Sequence, residues 1–251
     1  IRAGDRDLHS GMFGNAAANA LAVMSDVLAS LRRPDGGVAI DGFYDGVQEL
    51  APETAAEWAA LPFDEAGFLT GVGLKIPAGE AGRRGLQQVW ARPACEIHGI
   101  WGGYTDPGFK TVIPCEAHAK LSFRLVAGQD PEKIRTNFLA HVRARIPEDC
   151  SVSFEDHGLS PAWAMDAANP YLAPTLEALA DEWGRSTTCG TGGSIPIIGA
   201  LKDALGVDAL LVGFGRFDNR IHSPNEKYDL SSFVGGMRSW VRIIERLASC
   251  K

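Results

Sequence analysis

The sequence predicts an α/β protein in two parts that divide near residue 158. Three observations carry this prediction. Residues 115–126 alternate apolar and polar side chains, which is typical of a half-buried strand. Residues 209–214 form a continuous apolar run between helical segments, which indicates a strand of a sheet covered on both faces. Residues 231–247 repeat apolar side chains at helical spacing, which predicts an amphipathic helix that closes the chain.

The first part begins with the end of a strand and a long helix. Residues 1–8 resemble a strand end, and residues 15–31 are rich in Ala and Leu and lack Pro, which favours helix. Residues 38–94 are predicted to be an insertion of short helices broken by glycines. Within it, Pro52 followed by Glu53 has the pattern of a first helical turn.

A second helix and a last strand complete the first part. Asp130, Pro131 and Glu132 supply a capping side chain, a first-turn proline and an early acid, which predicts a helix to about residue 145. A strand is expected at 151–155. The predicted order is therefore strand, helix, strand, strand, helix, strand.

The second part starts with helices separated by a glycine-rich loop. Asn169 and Pro170 are predicted to cap a helix that runs to Trp183. Residues 190–193 form a loop, and residues 194–196 open the next helix. The strand at 209–214 and the closing helix then complete the chain.

Composition excludes several classes of partner. The chain has 251 residues, 45% of them hydrophobic, which is enough to bury a core. Its net charge of -7 and pI near 5.4 argue against nucleic-acid or anionic-membrane binding, because both need clustered Lys and Arg. The longest apolar stretch is too interrupted by charges to span a bilayer. Small molecules and peptides remain as ligands.

Cysteine usage points to a reducing compartment. The five cysteines form an odd set without a Cys-x-x-Cys pair, so neither a disulfide framework nor a zinc knuckle is predicted. We therefore expect a cytoplasmic protein.

His9 is the first candidate for chemistry. It follows Asp7 and precedes Gly11 at a predicted strand end, where an imidazole can donate a hydrogen bond to a developing oxyanion. Asp7 then serves to stabilise the turn. The alternative is a purely structural histidine.

Arg124 and Thr111 are candidates for substrate binding. Arg124 lies on the polar face of the predicted strand, where its guanidinium can bind a carboxylate through two hydrogen bonds. A surface ion pair is the alternative. Thr111 adds a hydroxyl just before that strand.

Gly193 and Ser194 precede a predicted helix start, whose free N–H groups favour an anion such as a carboxylate. A plain helix cap by Ser194 is the alternative.

His222 lies in a polar loop after the predicted strand at 209–214, which is where open α/β sheets bind ligands. It is a candidate metal ligand or a solvated histidine.

Taken in order, these segments resemble the M20 family of metallopeptidases, in the branch of cytosolic nonspecific dipeptidases and carnosinases. The family is also related to acetylornithine deacetylase and succinyl-diaminopimelate desuccinylase. Five motifs carry the resemblance: Arg6-Asp7-Leu8-His9-Ser10-Gly11, Lys110-Thr111-Val112-Ile113-Pro114, Phe123-Arg124-Leu125-Val126 with Gln129-Asp130-Pro131, Gly192-Gly193-Ser194-Ile195-Pro196, and His222-Ser223-Pro224-Asn225-Glu226.

The resemblance implies a zinc-peptidase-like α/β catalytic domain interrupted by an α+β lid. Residues 1–158 would be the lid, an antiparallel sheet with two helices on one face, which also makes the homodimer contact. Residues 159–251 would be the C-terminal part of the catalytic domain. The chain starts at Ile1 rather than Met, and the family's general base and other metal ligands precede the lid. We therefore expect a fragment that is inactive alone.

The resemblance also implies roles for single residues in a metal-dependent hydrolase of small peptides. Two divalent ions, zinc or alternatively manganese or cobalt, would act in the complete enzyme, with His222 as one ligand. His9 would stabilise the oxyanion in the neighbouring subunit's site, and Thr111 would also reach across. Arg124, Gly193 and Ser194 would hold the substrate's carboxylate end.

Three alternatives stay open at this point. Gly190 and Thr191 stand where the dipeptidases carry an Arg-Glu pair, so an N-acyl amino acid is a second substrate class. A serine hydrolase would use Ser194 and His222 with Asp218 or Asp229, although Pro196 breaks the Gly-x-Ser-x-Gly pattern. A non-catalytic dimerisation or binding module is the third.

Overall fold

The computed structural model describes residues 1–191, 195 and 197–250. The chain divides into two compact units. Unit 1 holds Ile1–Ala162 with a short segment that starts at Gly190, and unit 2 holds Trp163–Cys189 and the rest of the chain from Ile195. The division into a lid and a catalytic part near 158 stays a prediction.

Unit 1 combines short antiparallel strands with helices. Its strands are β1 (Leu8–His9), β2 (Ala94–Gly102), β3 (Val112–Ile113) and β4 (Ala117–Arg124). Its helices are α1 (Ser10–Phe13), α2 (Ala20–Ala29), α3 (Pro52–Ala59), α4 (Glu65–Thr70), α5 (Gly85–Ala91) and α6 (Pro131–Arg143).

An antiparallel ladder joins the start of the chain to the segment around β3 and β4. Ile1 and Ala117 exchange hydrogen bonds of 2.9 and 3.0 Å, and the amide of Ala3 donates to the carbonyl of Cys115 at 2.7 Å. Beyond them β1 pairs with β3. In the other direction β4 continues past Ile1 and pairs with β2 as far as Arg124. The strand pairs β1–β3 and β2–β4 are separate two-stranded sheets, which residues 1–3 join into one ladder that bends at Cys115, with His9 and Arg124 toward its two ends.

The core of unit 1 lies between the β2–β4 ribbon and two helices. Phe43 is completely buried, and α2 and α6 contribute to the same hydrophobic cluster. The predicted inward face of β4 packs against this cluster, and the side chains concerned are Ala117, Ala119, Leu121 and Phe123. Both helices thus cover one face of the ribbon, which confirms the predicted arrangement of sheet and helices.

Side-chain caps determine where the two main helices begin. Asn19 accepts a hydrogen bond of 2.9 Å from the amide of Leu21 at the start of α2. Asp130 accepts one of 2.9 Å from the amide of Glu132, and Pro131 occupies the first turn of α6. The predicted cap of α6 is confirmed, and α2 begins after Asn19 because its side chain satisfies the free amides there.

An ion-pair network joins separate segments of the insertion to one another. Arg92 donates to both carboxylate oxygens of Glu80, with 3.1 Å between Nη2 and Oε1. Their side chains are 11% and 13% exposed. The outer member, Glu49, is 65% exposed and binds the guanidinium of Arg83. Burial raises the pKa of Glu80, but hydrogen bonds from Arg92 and Tyr44 outweigh burial and lower the pKa overall.

Unit 2 contains α7 (Leu172–Trp183), α8 (Ile197–Leu205), a 3-10 turn (Phe217–Asn219) and α9 (Leu230–Ser249). Small residues of α9 face α7. Trp183 donates from Nε1 to Oγ of the fully buried Ser239 at 2.8 Å. A Cβ atom at Gly235 would lie 2.5 Å from the indole ring of Trp183, so only glycine allows this approach.

Two expectations about elements were wrong. Within the described part of the chain, 151–155 makes one bridge, between Ser151 and Arg2, and 209–214 is not a strand. A strand needs a neighbour for its backbone groups, and neither stretch has one along its length. The helix predicted at 231–247 is present as α9 and buries Ile243, although several of its other large apolar side chains are exposed, including Met237 and Val241. None of the described helices is long and apolar enough to span a bilayer.

Candidate functional site

His9 lies exposed at the junction of β1 and α1. Its side chain caps the short helix, because Nδ1 accepts a hydrogen bond of 3.0 Å from the amide of Gly11. The other ring nitrogen, Nε2, is therefore the one that can present a proton outward. Sequence reasoning named His9 but missed the role of Gly11, for which the His-x-Gly spacing was the available signal.

Thr111 lies beside His9 because β1 pairs with β3. His9 is opposite Val112, and the amide of Ser10 donates to the carbonyl of Thr111 at 3.1 Å. Both candidate side chains belong to exposed residues. The structure thus brings together two residues that are 102 positions apart in the sequence.

Asp7 stabilises this end of the ladder. Its Oδ1 atom accepts a hydrogen bond of 3.0 Å from the amide of Cys115, and that bond lowers the pKa of the carboxyl group. The carboxylate therefore fixes the approach of β1 to the chain before β4. The sequence predicted that Asp7 stabilises its own turn, and the structure shows instead a bond to a segment 108 positions away.

Arg124 lies at the other end of the ladder. It is the last residue of β4, opposite Ala94 of β2, and it is exposed. At about 3.3 Å per residue, the seven steps of β4 place Arg124 about 23 Å from Ala117. His9 lies beyond Ala117 on the opposite side, since residues 1–9 run back along the ladder.

The two ends are too far apart for one small peptide. An extended dipeptide spans about 7 Å. Within one copy of the chain, a dipeptide bound to Arg124 therefore cannot contact His9. The structure brings His9 and Thr111 together and keeps Arg124 apart from them.

His222 lies in unit 2, in an exposed polar turn after the 3-10 helix. Its backbone has φ of 61°, and its amide donates to Oε2 of Glu226 at 3.3 Å. A left-handed residue other than glycine is uncommon and depends on such local hydrogen bonds. The turn is also stabilised by the amide of Lys227, which donates to the carbonyl of the buried Asn219 at 3.0 Å.

The described residues do not form a metal site by themselves. Among residues 1–191, 195 and 197–250 there is no group of three His, Cys, Asp or Glu side chains that could hold an ion. A zinc site needs three or four such ligands. His222 can supply one of them.

Two other predicted features remain without support. Gly193 and Ser194 lie outside the described residues. The acids suggested for a serine triad, Asp218 and Asp229, both bind the ammonium group of Lys227, at 2.7 and 3.2 Å. Among the described residues, neither carboxylate forms a hydrogen bond with His222.

Comparison with known proteins identifies the family. A family model described as a peptidase dimerisation domain of the M20 type matches residues 1–150. The chain belongs to the M20 family. Its fold class is α/β, with the antiparallel sheet and helices of the dimerisation domain in unit 1, and the predicted resemblance to this family is confirmed.

Relatives of this M20 chain include two dipeptidases. The Cys-Gly metallodipeptidase of Saccharomyces cerevisiae is 32% identical over 95% of this chain and 50% of its own length. The Beta-Ala-His dipeptidase of Homo sapiens is 26% identical over 99% of this chain and 50% of its own length. The chain thus spans about half the length of the curated relatives it matches.

A solved structure of a di-peptidase from Saccharomyces cerevisiae has the same fold. Its TM-score is 0.80 at 29% identity, and the match covers 98% of this M20 chain and 52% of that chain. The match includes both units of this chain.

Proposed function

We propose that this chain is part of an M20-type metal-dependent dipeptidase that hydrolyses the amide bond of small peptides. Two relatives are named as dipeptidases, and both align with nearly the whole chain. They favour a dipeptide over the N-acyl amino acid that the sequence left open. The five cysteines are free thiols, which supports a cytoplasmic location.

Zinc is the proposed metal of the complete enzyme. The yeast relative is named a metallodipeptidase, and His222 offers an imidazole ligand of the kind that zinc sites use. The residues of this chain alone do not fit a metal site, as the described part has no cluster of three ligands. His222 is therefore one proposed ligand of the complete enzyme. The other ligands would come from the part of the enzyme that corresponds to the half of the relatives that this chain does not match.

Binding and stabilisation of charge are the proposed tasks of unit 1. Attack on an amide carbonyl creates an oxyanion, and His9 donates a hydrogen bond to it from Nε2. Thr111 supplies a hydroxyl at the same place. Arg124 holds the carboxylate end of the substrate, together with Gly193 and Ser194.

The separation of His9 from Arg124 carries this proposal. A dipeptide of about 7 Å cannot contact both residues in one copy, because β4 alone separates them by about 23 Å. The complete site therefore takes His9 and Thr111 from one subunit and Arg124 from the other. This arrangement requires a homodimer, which the match to a dimerisation domain supports.

Mixing two inactive variants of the complete enzyme tests this arrangement. His9→Ala and Arg124→Ala should each abolish most dipeptide hydrolysis. After dissociation and random reassociation of equal amounts, half of the dimers are mixed, and each has one intact site and one doubly damaged site. About a quarter of the wild-type activity should return. A mixture no more active than its separate components would show that each site is built within one subunit.

The role of His9 has its own measurement. Loss of one oxyanion donor lowers turnover by about 10²–10³-fold. We expect His9→Ala to do so while metal content, measured by elemental analysis, stays at the wild-type value. If the variant loses metal, His9 is a ligand instead.

Sizing tests the dimer that both the shared site and a non-catalytic dimerisation module require. Light scattering of this chain at micromolar concentration should give twice its 26.8 kDa mass. A monomeric chain would remove both the module and the shared site.

A further inference from the structure

Both the backbone and the imidazole ring of His9 are held in place by hydrogen bonds. The backbone of His9 is held by pairing with Val112, and the following amide, of Ser10, donates to Thr111. The ring then turns back over α1 so that Nδ1 accepts a hydrogen bond of 3.0 Å from Gly11. Backbone and ring are thus both positioned.

The hydrogen bond from Gly11 selects one tautomer of the ring. A neutral imidazole carries its proton on one nitrogen and accepts on the other. A proton on Nδ1 would face the amide hydrogen of Gly11, so the proton must be on Nε2. The hydrogen bond made by one ring nitrogen thus determines which nitrogen carries the proton and donates.

The absence of a side chain at Gly11 permits this contact. A Cβ atom there would lie 3.0 Å from Cε1 and 3.2 Å from Nδ1 of His9. Both distances are shorter than ordinary van der Waals contact, so a side chain there would require the ring to shift by a few tenths of an ångström against its hydrogen bond. The missing side chain of Gly11 thus leaves room for the observed ring position.

We infer that Gly11 is the positioning residue of His9: its amide fixes the Nε2–H tautomer, and its missing side chain lets the imidazole ring take up that hydrogen bond. His9 then presents a fixed N–H donor at Nε2, beside Thr111. The functional part of this inference rests on the proposed role of His9, whereas the tautomer can be measured on the chain itself.

Long-range proton–nitrogen NMR of the neutral ring tests the tautomer directly. In this chain, His9 should show the Nε2–H form. In Gly11→Ala the ratio of Nε2–H to Nδ1–H forms should fall about fivefold, which corresponds to losing one hydrogen bond of about 1 kcal/mol. Met12→Ala is the matched control, because Met12 belongs to the same short helix and is 76% exposed. Its tautomer ratio should equal that of the wild type.

Turnover of the complete enzyme provides the second measurement. Gly11→Ala should lower the turnover number at saturating dipeptide by about fivefold or more, with KM and metal content near wild type, whereas Met12→Ala should not. A wild-type ring with its proton on Nδ1, or a Gly11→Ala variant with unchanged tautomer ratio and turnover, would overturn the inference. If the tautomers behave as expected but His9→Ala retains turnover, the proposed function of His9 fails and the positioning by Gly11 stands.

Discussion

The ion pair between Glu80 and Arg92 allows a sharp test of how burial determines the strength of a charge pair. Replacing Glu80 by Gln keeps the shape of the side chain but leaves the guanidinium of Arg92, which is 11% exposed, with the exposed Glu49 at 3.6 Å as its remaining charged partner in the network. Breaking a buried pair in this way costs about 3 kcal/mol. For a unit of this size the melting temperature should fall by about 6–12 °C.

Glu49→Gln is the matched control. Glu49 belongs to the same network and binds Arg83 and Arg92, but its side chain is 65% exposed. Water and salt screen such an exposed pair. The decrease in unfolding free energy for Glu49→Gln should therefore be a small fraction of the decrease for Glu80→Gln. Guanidinium denaturation at neutral pH measures both variants. Equal losses in the two variants would refute the argument from burial.

The pH dependence of Glu80→Gln has a definite sign. The folded state lowers the pKa of Glu80, so this carboxylate stabilises the protein above the pKa of the unfolded chain and ceases to do so as pH falls through the lowered folded value. The difference between wild type and variant should be constant from about pH 7 to about pH 5 and shrink below about pH 4. A difference that grows toward acid would contradict the assigned direction.

Three further substitutions test the packing. Ile243→Ala, at a side chain that is 1% exposed, should lower the unfolding free energy of unit 2 by about 2–5 kcal/mol, whereas Val241→Lys, at 67% exposure, should change it by less than about 0.5 kcal/mol. Equal losses at both positions would mean that α9 packs through its other face. Asn19→Ala removes the cap of α2 and should cost about 1 kcal/mol in chemical denaturation of unit 1, and an unchanged midpoint would show that the cap is dispensable.

Local signals explain which elements the sequence could predict. The alternation along β4 and the cap, proline and acid at the start of α6 depend on neighbouring residues, and both elements are present where expected. Strands depend on distant partners. The apolar run at 209–214 satisfies the composition of a buried strand, yet within the described residues no second strand pairs with it. Its neighbours cannot be inferred from the run itself.

The exposed side of α9 has a similar cause. Helical spacing correctly predicts the helix, but two of its faces can pack. The described part of unit 2 uses the face of small residues, where Gly235 and Ser239 allow the ring of Trp183 to approach. Helical periodicity identifies the face with the most large apolar side chains as the one expected to pack. In α9 that face includes Met237.

The candidate site shows the same limit. His9, Thr111, Arg124 and His222 were identified by residue type and motif. The proximity of His9 to Thr111 follows from the pairing of β1 with β3, which no local pattern contains. The contribution of Gly11 was missed because it acts through its backbone amide and through the side chain that it lacks.

The distance between the ends of the ladder has a consequence for how catalysis scales with protein concentration. Under the proposed arrangement, a subunit that has lost its neighbour keeps Arg124 but cannot bring a His9 imidazole to the same peptide. Hydrolysis per subunit would then fall upon dilution below the dissociation constant of the dimer, and in that range the rate would rise with the square of concentration. Because β4 separates His9 from Arg124, formation of the dimer would itself activate the enzyme.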